Sequence, residues 1–118
     1  MPSERLLDHF KNPRNVGELP APAICVEVMN PACGDILRLS GKVEDGRVLQ
    51  ATYKARGCPA SIAAGSALTE LMVGRTRQDV EILRQQEIEA AVGGLEPASK
   101  HAAQLCIDAV KAFLTKWS

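Results

Sequence analysis

Two short segments of the sequence carry residue types that bind metals or transfer sulfur. Residues 30–35, Asn-Pro-Ala-Cys-Gly-Asp, place the Cys33 thiol and the Asp35 carboxylate two positions apart, so both point to one side if the turn is extended. Residues 56–61, Arg-Gly-Cys-Pro-Ala-Ser, place Cys58 directly before a proline suited to the first position of a helix. A thiolate there lies near free backbone N–H groups and the positive end of the helix dipole, which favours metal binding and nucleophilic sulfur.

A histidine completes the candidate ligand set. His101 stands near the start of the last predicted helix, from which its ring can supply a fourth ligand. Two thiolates, one carboxylate and one imidazole form a tetrahedral set for zinc, and they can equally anchor an iron–sulfur cluster in which harder ligands replace some cysteines. We expect such a mixed set to hold a cluster less firmly than four thiolates, which suits delivery more than storage. On the residues alone, zinc and an iron–sulfur cluster both stay open.

The composition excludes several other classes of function. Fourteen basic and fourteen acidic residues cancel, and aromatic residues are scarce at 3%, so nothing predicts a nucleic-acid surface. No stretch approaches the roughly 20 apolar residues of a membrane span, and the N-terminus carries no apolar signal-peptide core. We therefore expect a cytoplasmic protein whose four cysteines are thiols or metal ligands and not disulfides. Cys25, on a predicted strand, is expected to be structural.

Alternating apolar residues predict the strands that must position these groups. The patterns indicate strands at about 24–29, 36–43 and 48–56, joined by short turns into an antiparallel meander. On the third strand we expect Leu49, Ala51, Tyr53 and Ala55 on one face. Because the strands form a meander, both cysteine segments can lie at one end of the sheet.

The remaining chain predicts helices. An initial short helix is expected at about 3–10, and further helices at about 60–73, 76–84, 86–92 and 97–116. On the last of these, Ala98 is expected on the buried face together with Ala102. Strands first and most helices afterwards indicate an α+β fold, a three-stranded antiparallel sheet with helices packed on one face, in a single domain over 1–118.

Three stretches together resemble the U-type iron–sulfur cluster scaffold family, which comprises IscU and the N-terminal domain of NifU. The matching stretches are 8–17 (Asp-His-Phe-Lys-Asn-Pro-Arg-Asn-Val-Gly), 30–35, and 57–63 (Gly-Cys-Pro-Ala-Ser-Ile-Ala), with a looser match at 95–110. The resemblance implies an α+β fold with a cluster site at one edge of its sheet. It implies cluster ligands at Cys33, Asp35, Cys58 and His101. The partners it implies are a cysteine desulfurase that donates sulfur and apo acceptor proteins.

The sequence departs from the family pattern at two places. The family normally has a third cysteine directly after the histidine, where this chain has Ala102. Cys106 follows four residues later and is a further candidate metal ligand, although five residues from His101 corresponds to about 140° around a helix. Residues 95–100, Leu-Glu-Pro-Ala-Ser-Lys, replace the family's Leu-Pro-Pro-Val-Lys sequence for a dedicated chaperone, which makes a chaperone the least supported partner.

Three functions are compatible with the sequence. The leading hypothesis is a scaffold, not an enzyme, on which a transient [2Fe–2S] cluster forms from iron and desulfurase-derived sulfur before transfer to acceptor proteins. The alternative is a zinc-bound acceptor of persulfide sulfur, with zinc in the cluster-free protein. A third is a degenerate relative that only binds the desulfurase.

Overall fold

An antiparallel sheet forms from the three stretches with alternating apolar residues. The computed structural model describes residues 3–31 and 34–117, and in this part of the chain the strands are β1 (Ile24–Met29), β2 (Ile36–Glu44) and β3 (Arg47–Arg56). They pair in the order β1-β2-β3, each antiparallel to its neighbour. The inner face carries buried apolar side chains, and the outer face is mostly polar, as is usual for an antiparallel sheet with one solvated side. The predicted strand layout is therefore confirmed.

A β-bulge changes which side chains β3 buries. Lys42 pairs with Gln50 but Val43 pairs with Val48, so Leu49 is the extra residue between them. As a result Val48 is buried with 1% exposure, whereas Leu49 is 54% exposed. The prediction that Leu49 shares a face with Ala51 and Tyr53 was wrong, because the two-residue alternation is interrupted at the bulge. Leu49 is exposed, whereas Ala51 and Tyr53 are buried.

Five α-helices accompany the sheet in the described residues. They are α1 (Glu4–Lys11), α2 (Pro59–Met72), α3 (Arg77–Glu81), α4 (Gln85–Ala91) and α5 (His101–Lys116). Thr76 caps α3 as predicted, with its side chain accepting a hydrogen bond from the Asp79 amide. None of these helices combines the length and the apolar character needed to cross a membrane.

The last helix begins later than expected. Pro97–Ser99 forms a 3-10 turn, and α5 starts only at His101. A 3-10 turn has three residues per turn, so it does not continue the buried stripe of α5. The prediction that Ala98 is buried was therefore wrong, since this residue is exposed, whereas Ala102 is fully buried as expected.

The N-terminal stretch 8–17 fastens α1 to α2 and to β3. The Tyr53 amide donates to the Asn15 carbonyl, and the Gly17 amide donates to the Tyr53 carbonyl, both at 2.9 Å. The Ser66 hydroxyl accepts from the Arg14 amide at 2.9 Å and lies 2.7 Å from Nδ1 of His9. Burial lowers the pKa of His9, which favours the neutral ring in this contact. Residues 8–17 therefore have a structural role, because they attach α1 to α2 and to β3. We call this stretch the N-terminal clamp.

Small residues on α2 let it lie directly on the sheet. Ala63, Ala64 and Ala67 are almost completely buried, and the Tyr53 hydroxyl donates to the Ile62 carbonyl at 2.7 Å. A Cβ atom on Gly65 would lie 2.5 Å from a ring carbon of Tyr53. The absence of a side chain at Gly65 therefore lets α2 approach the Tyr53 ring closely.

We predict that Gly65→Ala destabilises the protein although alanine is the better helix former. The gain in helix propensity is about 1 kcal/mol, whereas overpacking a close-packed core costs about 1–3 kcal/mol. Urea denaturation should show a lower midpoint for Gly65→Ala, with Lys111→Ala on the exposed side of α5 as the control. A midpoint equal to or above that of the wild type would contradict the packing described for α2.

Candidate metal centre

Three of the side chains predicted as ligands meet at one edge of the sheet. Asp35 directly precedes β2, Cys58 lies between β3 and α2, and His101 is the first residue of α5. One potential ligand atom from each of them lies within 4.8 Å of the other two. Nε2 of His101 is 3.5 Å from Sγ of Cys58 and 3.5 Å from Oδ2 of Asp35. A sulfur, a nitrogen and an oxygen ligand are thus available to one metal ion.

Strand pairing and the helix start bring these residues together. The first residue of β2, Ile36, pairs with the last residue of β3, Arg56, so Asp35 lies beside the turn that leads to Cys58. Cys58 is the N-cap residue of α2, in an extended conformation, and its side chain makes no capping hydrogen bond. The thiol is half-buried and stays available for chemistry.

The Asp35 carboxylate is held from two sides. The Ser61 hydroxyl donates a hydrogen bond to Oδ2 at 2.6 Å, and Asp35 itself is only 6% exposed. On another side lies Gly57, where an added Cβ would come within 2.4 Å of Cγ of Asp35. Gly57 also has φ of +151°, a conformation that side-chain-bearing residues rarely adopt. The carboxylate therefore occupies the space that any other residue at position 57 would need.

The His101 ring is oriented by a backbone carbonyl. Its Nδ1 atom lies 3.1 Å from the Ala98 carbonyl oxygen, which can only accept, so Nδ1 carries the proton and donates it. With Nδ1 occupied by this hydrogen bond, Nε2 is the ring nitrogen that faces Cys58 and Asp35. A second hydrogen bond of this kind is typical of histidines that bind metals. The 3-10 turn Pro97–Ser99, which precedes α5, supplies this acceptor.

In the part of the chain that the structure describes, Cys106 and Cys25 lie away from this group. Cys33 is outside the described residues. The structure does not bring Cys106 to the group, because this residue is buried in the core with 1% exposure, and burial raises the pKa of its thiol to about 12. Cys25 lies on the outer face of the sheet, with its sulfur 3.6 Å from the Ser40 hydroxyl. The assignment of Cys33, Asp35, Cys58 and His101 as ligands stays a prediction.

The donor set fits a borderline or thiophilic metal. Thiolate and imidazole suit zinc and iron, whereas the single carboxylate argues against a hard-cation site built of oxygens. Cys58 also borders a surface pocket of about 200 Å³. The other lining residues of this pocket include Leu6, Pro59, Ala60, Gly94 and Ser99. The sequence interpretation missed Ser61 and Gly57 as supporting residues, although both lie in the stretch that carried the resemblance.

The family model for the NifU-like N terminal domain matches residues 1–118. The chain belongs to this family. The match covers all the elements described above, including the three residues of the candidate centre. It agrees with the resemblance inferred from the three sequence stretches.

Several curated proteins are similar over most of this chain. The bifunctional protein NifU/MnmA of Rubrobacter xylanophilus is 43% identical over 117 residues, which are 97% of this chain and 24% of that protein. The chain therefore spans about a quarter of that relative. The iron–sulfur cluster assembly scaffold protein IscU of Azotobacter vinelandii is 40% identical over 114 residues, covering 93% of this chain and 88% of the relative. IscU of Haemophilus influenzae is 34% identical, covering 98% and 94%.

Solved structures share the fold. A SufU scaffold protein from Fervidobacterium islandicum superposes with a TM-score of 0.65 at 21% identity, covering 95% of this chain and 88% of that one. A NifU-like N-terminal protein from Brucella abortus also gives 0.65, at 20% identity, covering 94% and 78%. At this identity the likeness supports the α+β architecture.

We predict that Gly57→Ala weakens metal binding because its side chain displaces the Asp35 carboxylate. Mutation of a residue that orients a metal ligand typically costs about 10–100-fold in metal affinity. Competition between the protein and a chromophoric chelator for Zn²⁺ measures this change. The matched control is Gly46→Ala, which also has positive φ (+75°) but has no atom within 4 Å of the added Cβ. Equal Zn²⁺ affinity in wild type and Gly57→Ala would contradict the described packing.

Proposed function

We propose that this chain is a scaffold on which [2Fe–2S] clusters are assembled and then passed to apo acceptor proteins. The observation that carries the proposal is the convergence of Asp35, Cys58 and His101 at one sheet edge. Membership of the NifU-like family and the similarity to proteins named as IscU scaffolds support the same function. In this role the protein is an assembly platform and not a turnover enzyme.

The cluster is the cargo of this site, and each side chain has a distinct part. The thiolates of Cys58 and Cys33 supply the strong bonds to iron, and the Nε2 atom of His101 supplies a nitrogen ligand. Asp35 is the weakest donor for a thiophilic cluster, so it is the ligand expected to leave first. A site with one oxygen and one nitrogen ligand releases its cluster more readily than four cysteines do, which a transfer protein requires.

Sulfur arrives from a partner. A cysteine desulfurase carries sulfur as a persulfide, and the half-buried Cys58 beside an open pocket is a suitable place to receive it. Each transferred sulfur atom must gain two electrons to become sulfide. A thiol supplies them by attacking the inner sulfur of the persulfide, which breaks the S–S bond, releases sulfide and leaves a disulfide; an electron-transfer protein can supply them instead. The reducing cytoplasm, the compartment that the sequence predicts, keeps such thiols available.

A second candidate function is that of a zinc-bound sulfur acceptor. It is favoured by the compactness of the group, because three ligand atoms within 4.8 Å of one another can surround a single ion. In this function zinc orders the site, and Cys58 or Cys33 accepts the persulfide sulfur and passes it on.

We predict that anaerobic reconstitution with iron, cysteine and a desulfurase produces the visible charge-transfer bands of an iron–sulfur cluster. Cys58→Ala should lose these bands because it removes a strong ligand. Cys106→Ala is the matched control and should keep them, since that thiol lies in the core. Absorption spectra with iron and sulfide analysis measure both effects. Tightly bound zinc, persulfide transfer and no cluster bands in the wild type would instead select the zinc-bound acceptor.

A further inference from the structure

Ser61 lies between two residues of the candidate centre. It is in the first turn of α2 and is only 2% exposed. Its hydroxyl is 2.6 Å from Oδ2 of Asp35 and 3.5 Å from Sγ of Cys58. One buried side chain therefore contacts both an oxygen ligand and a sulfur ligand.

The Ser61 hydroxyl donates its hydrogen bond to the Asp35 carboxylate. A serine hydroxyl has a single proton to donate, and an ionised carboxylate can only accept. The contact to Oδ2 is short, as expected for a hydrogen bond to a charged acceptor, whereas the contact to Cys58 is long. Toward the sulfur, Ser61 therefore presents a lone pair, and its orienting effect acts on the carboxylate.

Helix α2 has further polar contacts to the rest of the fold that do not involve Ser61. Helix α2 is attached to the N-terminal clamp through Ser66, which contacts His9 and Arg14, and to β3 through the Tyr53 hydroxyl. Ser61 is not the N-cap residue either, because that position belongs to Cys58. Its side-chain contacts are directed to the centre.

We propose that Ser61 is a positioning residue that holds the Asp35 carboxylate in its ligating orientation. This inference rests on the proposed function, since it assumes that Asp35 binds the metal or cluster. Without the hydroxyl, a carboxylate that is only 6% exposed loses its short hydrogen bond, and its ligating orientation is no longer fixed from the side of α2. The centre then behaves as though Asp35 were absent.

Anaerobic Co²⁺ titration of the full chain tests this role, because the d–d absorption of Co²⁺ reports the number and type of its ligands. We compare wild type, Ser61→Ala, Asp35→Ala and the double variant. Ser61→Ala should weaken Co²⁺ binding by about 10–100-fold, and its spectrum should match that of Asp35→Ala. In the Asp35→Ala background, adding Ser61→Ala should change the affinity by less than about twofold, since the two residues act as one unit.

Ser66→Ala is the matched control, a second buried serine on the same helix with hydrogen bonds away from the centre. It should lower the urea midpoint and leave the Co²⁺ spectrum unchanged. A wild-type spectrum in Ser61→Ala would overturn the inference while the proposed function stands. Equal weakening by Ser61→Ala with and without Asp35 would also overturn it, because the effect would then be structural. A wild type that binds no Co²⁺ and forms no cluster would overturn the proposed function itself.

Discussion

The antiparallel pairing of β2 with β3 is the constraint on which the candidate centre depends. Because Ile36 pairs with Arg56, the residue before β2 and the turn after β3 must lie side by side. Asp35 and Cys58 are thereby brought together although 23 positions separate them in the sequence. A shift by one residue would turn Asp35 to the other face of the sheet. The buried inner face of the sheet, with Leu37 and Leu39 almost completely covered, opposes such a shift.

Because the Asp35 carboxylate is buried, the candidate centre must provide polar partners for it. A charged group that is only 6% exposed needs partners, and Asp35 has the Ser61 hydroxyl and the nearby His101 ring. Both contacts remain when a metal ion leaves. The Asp35 carboxylate therefore keeps polar partners after the metal has been released. Such a centre can exchange its cargo while the surrounding fold persists, which agrees with the function of a platform for assembly and transfer.

Much of this arrangement could be predicted from the sequence, and the rest depends on contacts that no local pattern encodes. Alternation predicted the strands, and motif chemistry predicted Asp35, Cys58 and His101. The bulge at Leu49 could not be predicted, because it appears only when two strands are paired. The last helix was predicted to start at Pro97, but α5 starts at His101. Proline is compatible with the first turn of an α-helix and with a 3-10 turn, so the sequence does not distinguish the two. The role of Gly57 became visible only once its distance to Asp35 was known.

The central claim is that a cluster on this chain has His101 among its ligands, and pulsed electron paramagnetic resonance of the reduced, reconstituted cluster tests it most directly. The chain has two histidines, which makes assignment with ¹⁵N-labelled histidine simple. We expect an imidazole nitrogen coupling that responds to the label, disappears in His101→Ala and persists in His9→Gln. A cluster without histidine coupling, or with a coupling that survives in His101→Ala, would contradict the account.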